Sequence, residues 1–186
     1  FIYSFQSVDQ LSGPILSSKP DLIWLPLREI TAHLPMIRAL MEKGLRFAAV
    51  LDRITFDSQW PLVLERLRQL KESGLNDLVV TNLGQLPLVE KLDFTLHGDF
   101  GLNIYNSGSM NVARSLELAS ATVSFEMTLP QIRDVSKAVP CEILIYGRLP
   151  LMVTENCIIQ GKTGTCSCTM GPTKIVDKTG AEFHVI

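Results

Sequence analysis

Three thiols crowd one short stretch of the chain, Cys157, Cys166 and Cys168. Thiolates are soft ligands suited to zinc or to an iron–sulfur cluster. Gly161 and Gly164 lie between them and let the chain turn back, so that Cys157 can approach the other pair. Three ligands leave a tetrahedral metal one short. Cys141, His184 or a residue beyond Ile186 would complete the site, and free thiols or a disulfide are the plainer alternative. Cys141 opens an apolar run and reads as a buried thiol. Clustered rather than dispersed cysteines point away from a secreted disulfide scaffold and toward a reducing compartment, the cytoplasm.

A second group of residues carries acid–base character. His97-Gly98-Asp99 sets an imidazole near a carboxylate, and Glu126 follows a later apolar run. His97, Asp99 and Glu126 are therefore the catalytic candidates. Neither a Ser–His–Asp order nor a His-Glu-x-x-His spacing is evident, and a structural role at a strand end is the plainer reading of His97. Asn103 and Asn106 have the look of a loop closing onto a helix N-terminus. With Arg148 they are candidates for binding a polar substrate, helix capping being the alternative.

The elements that must position these groups repeat one pattern: a short apolar run, a turn, then an amphipathic segment. Apolar runs lie at 1–5, 22–25, 47–51, 78–80, 94–96, 122–125 and 143–146. Helical spacing marks 30–43 and 62–73, ending at Gly44 and Gly74, and also 86–91, 110–119 and 129–138. Thr128 stands as an N-cap with Pro130 just inside. Strands alternating with helices predict parallel βαβ units. Seven runs without a Gly-rich dinucleotide loop favour an α/β fold of the TIM-like (β/α) barrel kind, complete or partial, over residues 1–146. Residues 147–186 break the pattern and read as a small Cys-containing β tail. In such a barrel the polar residues after each run, including Arg28, Asp52, Arg53, Asn82 and Asp99, form a ring on one face.

Composition limits the rest. Hydrophobic residues are 46% and charged residues 19%, enough for a core; 17 Lys plus Arg against 19 Asp plus Glu leave −2. That balance gives no broad basic field for nucleic acid. No apolar run nears the roughly 20 residues of a membrane span. The opening FIYSFQS has no Met and no leader pattern, so the sequence is expected to be a fragment of a longer chain.

From about Asp77 onward the residues resemble a known family, the collagenase-like U-type peptidases (family thirty-two). DLVVTNLGQL, LHGDFGLNIYNS and ATVSFEMTLPQI are similar to its strand-and-loop pattern. CEILIYGRLPLMVTENC resembles its signature, a glutamate-bearing strand, a Gly-containing turn and a cysteine, and IVDKTGAEFHVI resembles the segment that follows in long members. Pro150 stands where the signature has its first cysteine, and Glu155-Asn156 where it has Gly-Arg; Cys157 keeps its place. The departures look like the second, C-terminal barrel of a long member, with a fourth cysteine beyond Ile186. The resemblance implies a collagen-type protease, or an iron–sulfur enzyme hydroxylating RNA bases or quinone precursors. A further expectation is an accessory barrel that binds RNA or protein for a catalytic region N-terminal in the same chain.

Overall fold

The computed structural model describes residues 1–150, 152–154, 156–165 and 173–185. These form two compact units, Phe1–Ile145 and Tyr146–Ile186. The first is built on seven parallel strands in sequence order: β1 (Ile2–Ser4), β2 (Leu22–Pro26), β3 (Phe47–Val50), β4 (Asp77–Val80), β5 (Thr95–Gly98), β6 (Ser120–Thr122) and β7 (Cys141–Glu142). Helices follow them: α1 (Gly13–Ser17), α2 (Leu27–Ala32), α3 (Leu34–Glu42), α4 (Trp60–Glu72), α5 (Leu86–Val89), α6 (Ser107–Ser115) and α7 (Leu129–Asp134). Strands that each pair with the next in sequence through a helical crossover curl into a partial barrel. Among the described residues the sheet runs from β1 to β7 without those two strands pairing, the partial form of the expected barrel.

The strands are apolar because both faces are covered. Every residue of β2 and of β4 is buried. Ile23, Leu25, Phe47, Ala49, Leu78 and Val80 alternate onto the convex side and join the large core under the helices, with Ile37, Leu67, Leu70 and Met110 opposite them. Leu22, Trp24, Ala48 and Val79 point the other way and pack together in the concavity. Register extends that concave face into a polar stretch. Val79 lies opposite His97, His97 opposite Ser120, and Thr122 opposite Glu142.

Local chemistry sets the element ends. The single helix expected over 30–43 is broken at His33, whose φ of −121° is not helical. Pro35 causes the break: it has no N–H for the Thr31 carbonyl, and its ring would crowd that carbonyl. Gly44 (φ +89°) closes α3, its N–H donating to Met41 O at 2.9 Å while Leu45 N–H reaches Leu40 O at 3.2 Å. An alanine there would have to hold a left-handed conformation. Gly44→Ala is expected to cost about 1 kcal/mol, read as a shift in the urea midpoint at unchanged slope.

The last two strands also lie earlier than the apolar runs suggest. β6 is Ser120–Thr122 rather than 122–125, and β7 is Cys141–Glu142 rather than 143–146. Pairing decides this: Ala121 lies opposite Cys141 and Thr122 opposite Glu142. Ile143, Leu144, Ile145 and Tyr146 are exposed instead. The second unit contains α8 (Ile158–Thr163) and an antiparallel hairpin, β8 (Thr173–Val176) with β9 (Glu182–Val185). Asp177 Oδ1 accepts from Thr179 N–H and Ala181 N–H and shapes its turn. No helix among the described residues is long and apolar enough to cross a membrane.

Candidate functional site

His97 lies on the concave face, not on the rim of loops. Its Nε2 is 3.0 Å from Asp77 Oδ1 and its Nδ1 is 2.6 Å from Ser120 Oγ. Ser120 Oγ–H in turn bonds to Glu142 Oε1, and Thr122 Oγ1–H donates to Glu142 Oε2 at 2.8 Å. At the other end Arg46 Nη2 donates to both Asp77 oxygens, at 2.9 and 3.1 Å. The result is one line of hydrogen bonds, Arg46–Asp77–His97–Ser120–Glu142–Thr122, running across β4 to β7. Asp77, His97, Ser120 and Thr122 are buried; Glu142 is half-buried. Burial pushes the Asp77 carboxyl up, but the bonds from His97 and Arg46 outweigh it and leave it below the ordinary aspartate value.

Asp99 belongs to a different centre, where the strands end. It caps the turn 100–102, its Oδ1 accepting from Gly101 N–H at 2.6 Å, and Oδ2 lies 3.4 Å from Arg53 Nη2. Burial raises its carboxyl to about 6, against the opposing pull of the Gly101 N–H and of Arg53. The Arg53 guanidinium lies 4.6 Å over the Phe100 ring, and Phe125 meets Phe100 edge-on at 5.8 Å. Gly101 is required by contact: a Cβ would lie 2.4 Å from Thr81 O and 2.7 Å from Asp99 Oδ1. Asn82 Nδ2 donates to Arg53 O and Gln85 Nε2 to Asp52 O, both at 2.8 Å, so neighbouring loops are tied together.

The remaining candidates fall in several places. Glu126 is exposed on the loop after β6, its backbone N–H donating to Ser124 Oγ at 3.3 Å. Asn106 caps α6, its Oδ1 accepting from Ser109 N–H at 2.9 Å. Asn103 is exposed with a left-handed φ of 52°, which ends the turn before it. Both are engaged in shaping the loop that follows β5. The fold therefore brings His97 onto Asp77 and Ser120, and Asp99 onto Arg53, and does not bond His97 to Asp99. Arg148 lies in the second unit and is exposed.

Cys157 also lies in the second unit, a free and half-buried thiol whose Sγ accepts from Gln160 N–H at 3.4 Å. Cys166 and Cys168 lie outside the described residues. Among the described residues no group of three His, Cys, Asp or Glu side chains is placed to hold a metal. Three closely spaced soft sulfurs nonetheless suit zinc or iron in their donor chemistry. Cys141 is half-buried against the large core, and burial raises its thiol, so it is a poor ligand.

Asp77, Ser120, Thr122 and Glu142 were not legible as site residues from motif spacing. One signal could have found them: Asp77, His97, Ser120 and Glu142 are each about one βα unit apart.

A family model described as peptidase family U32 matches residues 31–171. Among solved structures, the fold is similar to that of the U32 peptidase Mk0906, with TM-score 0.57 and 14% sequence identity. That match covers 76% of this chain and 66% of the other, so the chain spans just under two thirds of its length. No curated protein matches the chain.

Proposed function

The chain belongs to peptidase family U32, and from that premise we propose that its first unit binds polypeptide on the rim formed by the loops after the strands. One observation carries this reading. Those loops expose Ile54, Phe56, Leu83, Tyr105 and Phe125, and the start of α7 exposes Leu129. In a parallel βα array all such loops lie at one end of the sheet, where substrates of barrel enzymes bind. Exposed apolar residues gathered in this way suit the side chains of an unfolded polypeptide. Exposed Asp52, Asp57 and Glu126 outweigh Arg28 and the half-buried Arg53 there, a sign of charge that favours Lys and Arg in the ligand over a phosphate backbone. Asp99 and Glu126 are the acid–base groups of this rim, with His97 behind it on the concave face, and Asn103 and Asn106 are its amide side chains.

Fluorescence anisotropy with a labelled peptide of alternating Leu, Phe and Lys, beside single-stranded RNA of similar length, tests the reading. The peptide is expected to bind, and Phe125→Ala to weaken it about tenfold, roughly 1.4 kcal/mol. Phe125 is 48% exposed, so its loss leaves the core intact. Tighter binding of RNA, or equal peptide affinity in Phe125→Ala, sinks the proposal.

A second reading rests on Cys157, free and half-buried in the second unit. With Cys166 and Cys168 it would hold an iron–sulfur cluster, or zinc, in a reducing compartment such as the cytoplasm. Such a cluster supplies electron transfer for oxygen insertion into an RNA base or quinone precursor. Arg148 would then be a substrate contact. In the alternative without catalysis, the thiols would hold zinc or nothing, and the barrel would serve as an accessory that presents RNA or protein to a catalytic region elsewhere in a longer chain. Iron and sulfide analysis of anaerobically purified protein, beside Cys157→Ser, decides it: iron retained in wild type and lost in the variant is required.

A further inference from the structure

Three hydrogen bonds join Asp77, His97, Ser120 and Glu142, and each needs one proton between its heavy atoms. Asp77 receives Arg46 on both oxygens, so the proton it shares with His97 sits on Nε2. Ser120 has a single hydroxyl proton to offer. With that proton turned to Glu142, His97 must carry a second one on Nδ1, and Glu142 is a carboxylate. With it turned to His97, the imidazole is neutral and the extra proton sits on Glu142. The two arrangements hold the same number of protons and differ by one shift through the Ser120 hydroxyl.

We propose that Glu142 is an acid–base group acting on the amide bond of a bound polypeptide, its proton stored on His97 and passed through Ser120. Placement supports the role. Glu142 is the last residue of β7 and half-buried, whereas Asp77, His97 and Ser120 behind it are buried. Only Glu142 meets incoming substrate; His97 and Ser120 are positioning residues. Thr122 Oγ1–H fixes the second carboxylate oxygen, and Arg46 with Asp77 fixes the far end of the line. In the reaction a water gives one proton to Glu142 as its oxygen bonds to the carbonyl carbon. Glu142 returns that proton to the amide nitrogen as the C–N bond breaks, yielding a carboxylic acid and an amine with no oxidant consumed.

The choice of amide substrate rests on the polypeptide reading above, so the test separates the two. Imidazole NMR titration of His97 reports the line without any substrate. The charged groups facing His97 are Asp77, Glu142 and, behind Asp77, Arg46. Removing the Glu142 charge with Glu142→Gln is expected to lower the His97 midpoint, since a nearby negative charge is lost. Glu42→Gln, exposed at the end of α3, leaves the midpoint in place, and in a Ser120→Ala background Glu142→Gln moves it less, because only the through-space part of the coupling remains. Thermal unfolding confirms that each variant is folded. An unmoved midpoint in Glu142→Gln, or an equal shift with Ser120 absent, overturns the relay. On a peptide that the wild type cleaves, Glu142→Gln is expected to lower kcat on the order of 10²- to 10⁴-fold with KM little changed; full kcat overturns the catalytic role. A coupled His97 in a protein that cleaves no peptide refutes the polypeptide reading and supports the relay.

Discussion

Asp77→Ala is expected to lower the unfolding free energy by about 3–5 kcal/mol, the range for removing one partner of a buried charge network. Asp77 is 6% exposed, and its carboxylate is the acceptor for two donors, His97 Nε2 and Arg46 Nη2. Arg46 can turn to water, since its side chain is 62% exposed. His97 cannot: its ring is buried and would be left with an unpaired ring nitrogen. Most of the loss therefore comes from His97, and an Asp77→Ala/His97→Leu double variant is expected to lose less than the sum of the two singles. The sign with pH follows from the lowered carboxyl. A group below its unfolded value of 3.8 stabilises the native state above that value, and the contribution disappears as pH falls through the folded value. Urea unfolding of Asp77→Ala and wild type should therefore differ at pH 7 and converge in strong acid. Equal stability at pH 7 would show that the line carries no energetic coupling.

Asp99→Asn is expected to act in the opposite direction and stabilise the protein at neutral pH by roughly 2–3 kcal/mol. The folded carboxyl titrates at about 6 against 3.8 unfolded, and each pH unit corresponds to about 1.36 kcal/mol. Between those values the native state holds a proton that the unfolded chain has released, so stability falls as pH rises from about 4 to 6 and then levels. Asparagine removes the buried charge while keeping an oxygen for the Gly101 N–H. Arg53 loses its partner but keeps the Phe100 face, and is partly open to water. The gain should be present at pH 7 and absent near pH 4, and thermal unfolding at the two values checks it. A variant less stable than wild type at both would mean that the Arg53 pair outweighs the burial of the carboxylate. Asp77 and Asp99 thus place two opposite slopes in one stability profile, one below pH 4 and one between 4 and 6.

Local sequence was sufficient wherever a residue's own neighbours determine the outcome. Short apolar runs such as 22–25 and 47–51 could only be covered strands, and their alternation with amphipathic segments specified parallel βα units. Asn106 and Thr128 announced the starts of α6 and α7. Pro35 held the information that the 30–43 pattern would break, although periodicity alone ran through it. The resemblance over 77–186 pointed to the family that the chain belongs to.

Contact across strands was decided by the tertiary structure. Adjacency in sequence suggested that His97 would act with Asp99, but His97 bonds to Asp77 and Ser120, and Asp99 bonds to Arg53 and Gly101. Glu142 stood only as the glutamate of the strand that resembles the family's signature, and became the half-buried end of a hydrogen-bonded line because Thr122 lies opposite it. The cause is register. Side chains alternate faces along a strand, so a slip of one residue between β5 and β6 would turn Ser120 away from His97. Nothing in the local sequence of either strand specifies that register. It is set by how the convex side chains pack beneath the helices, a property of the whole assembled sheet.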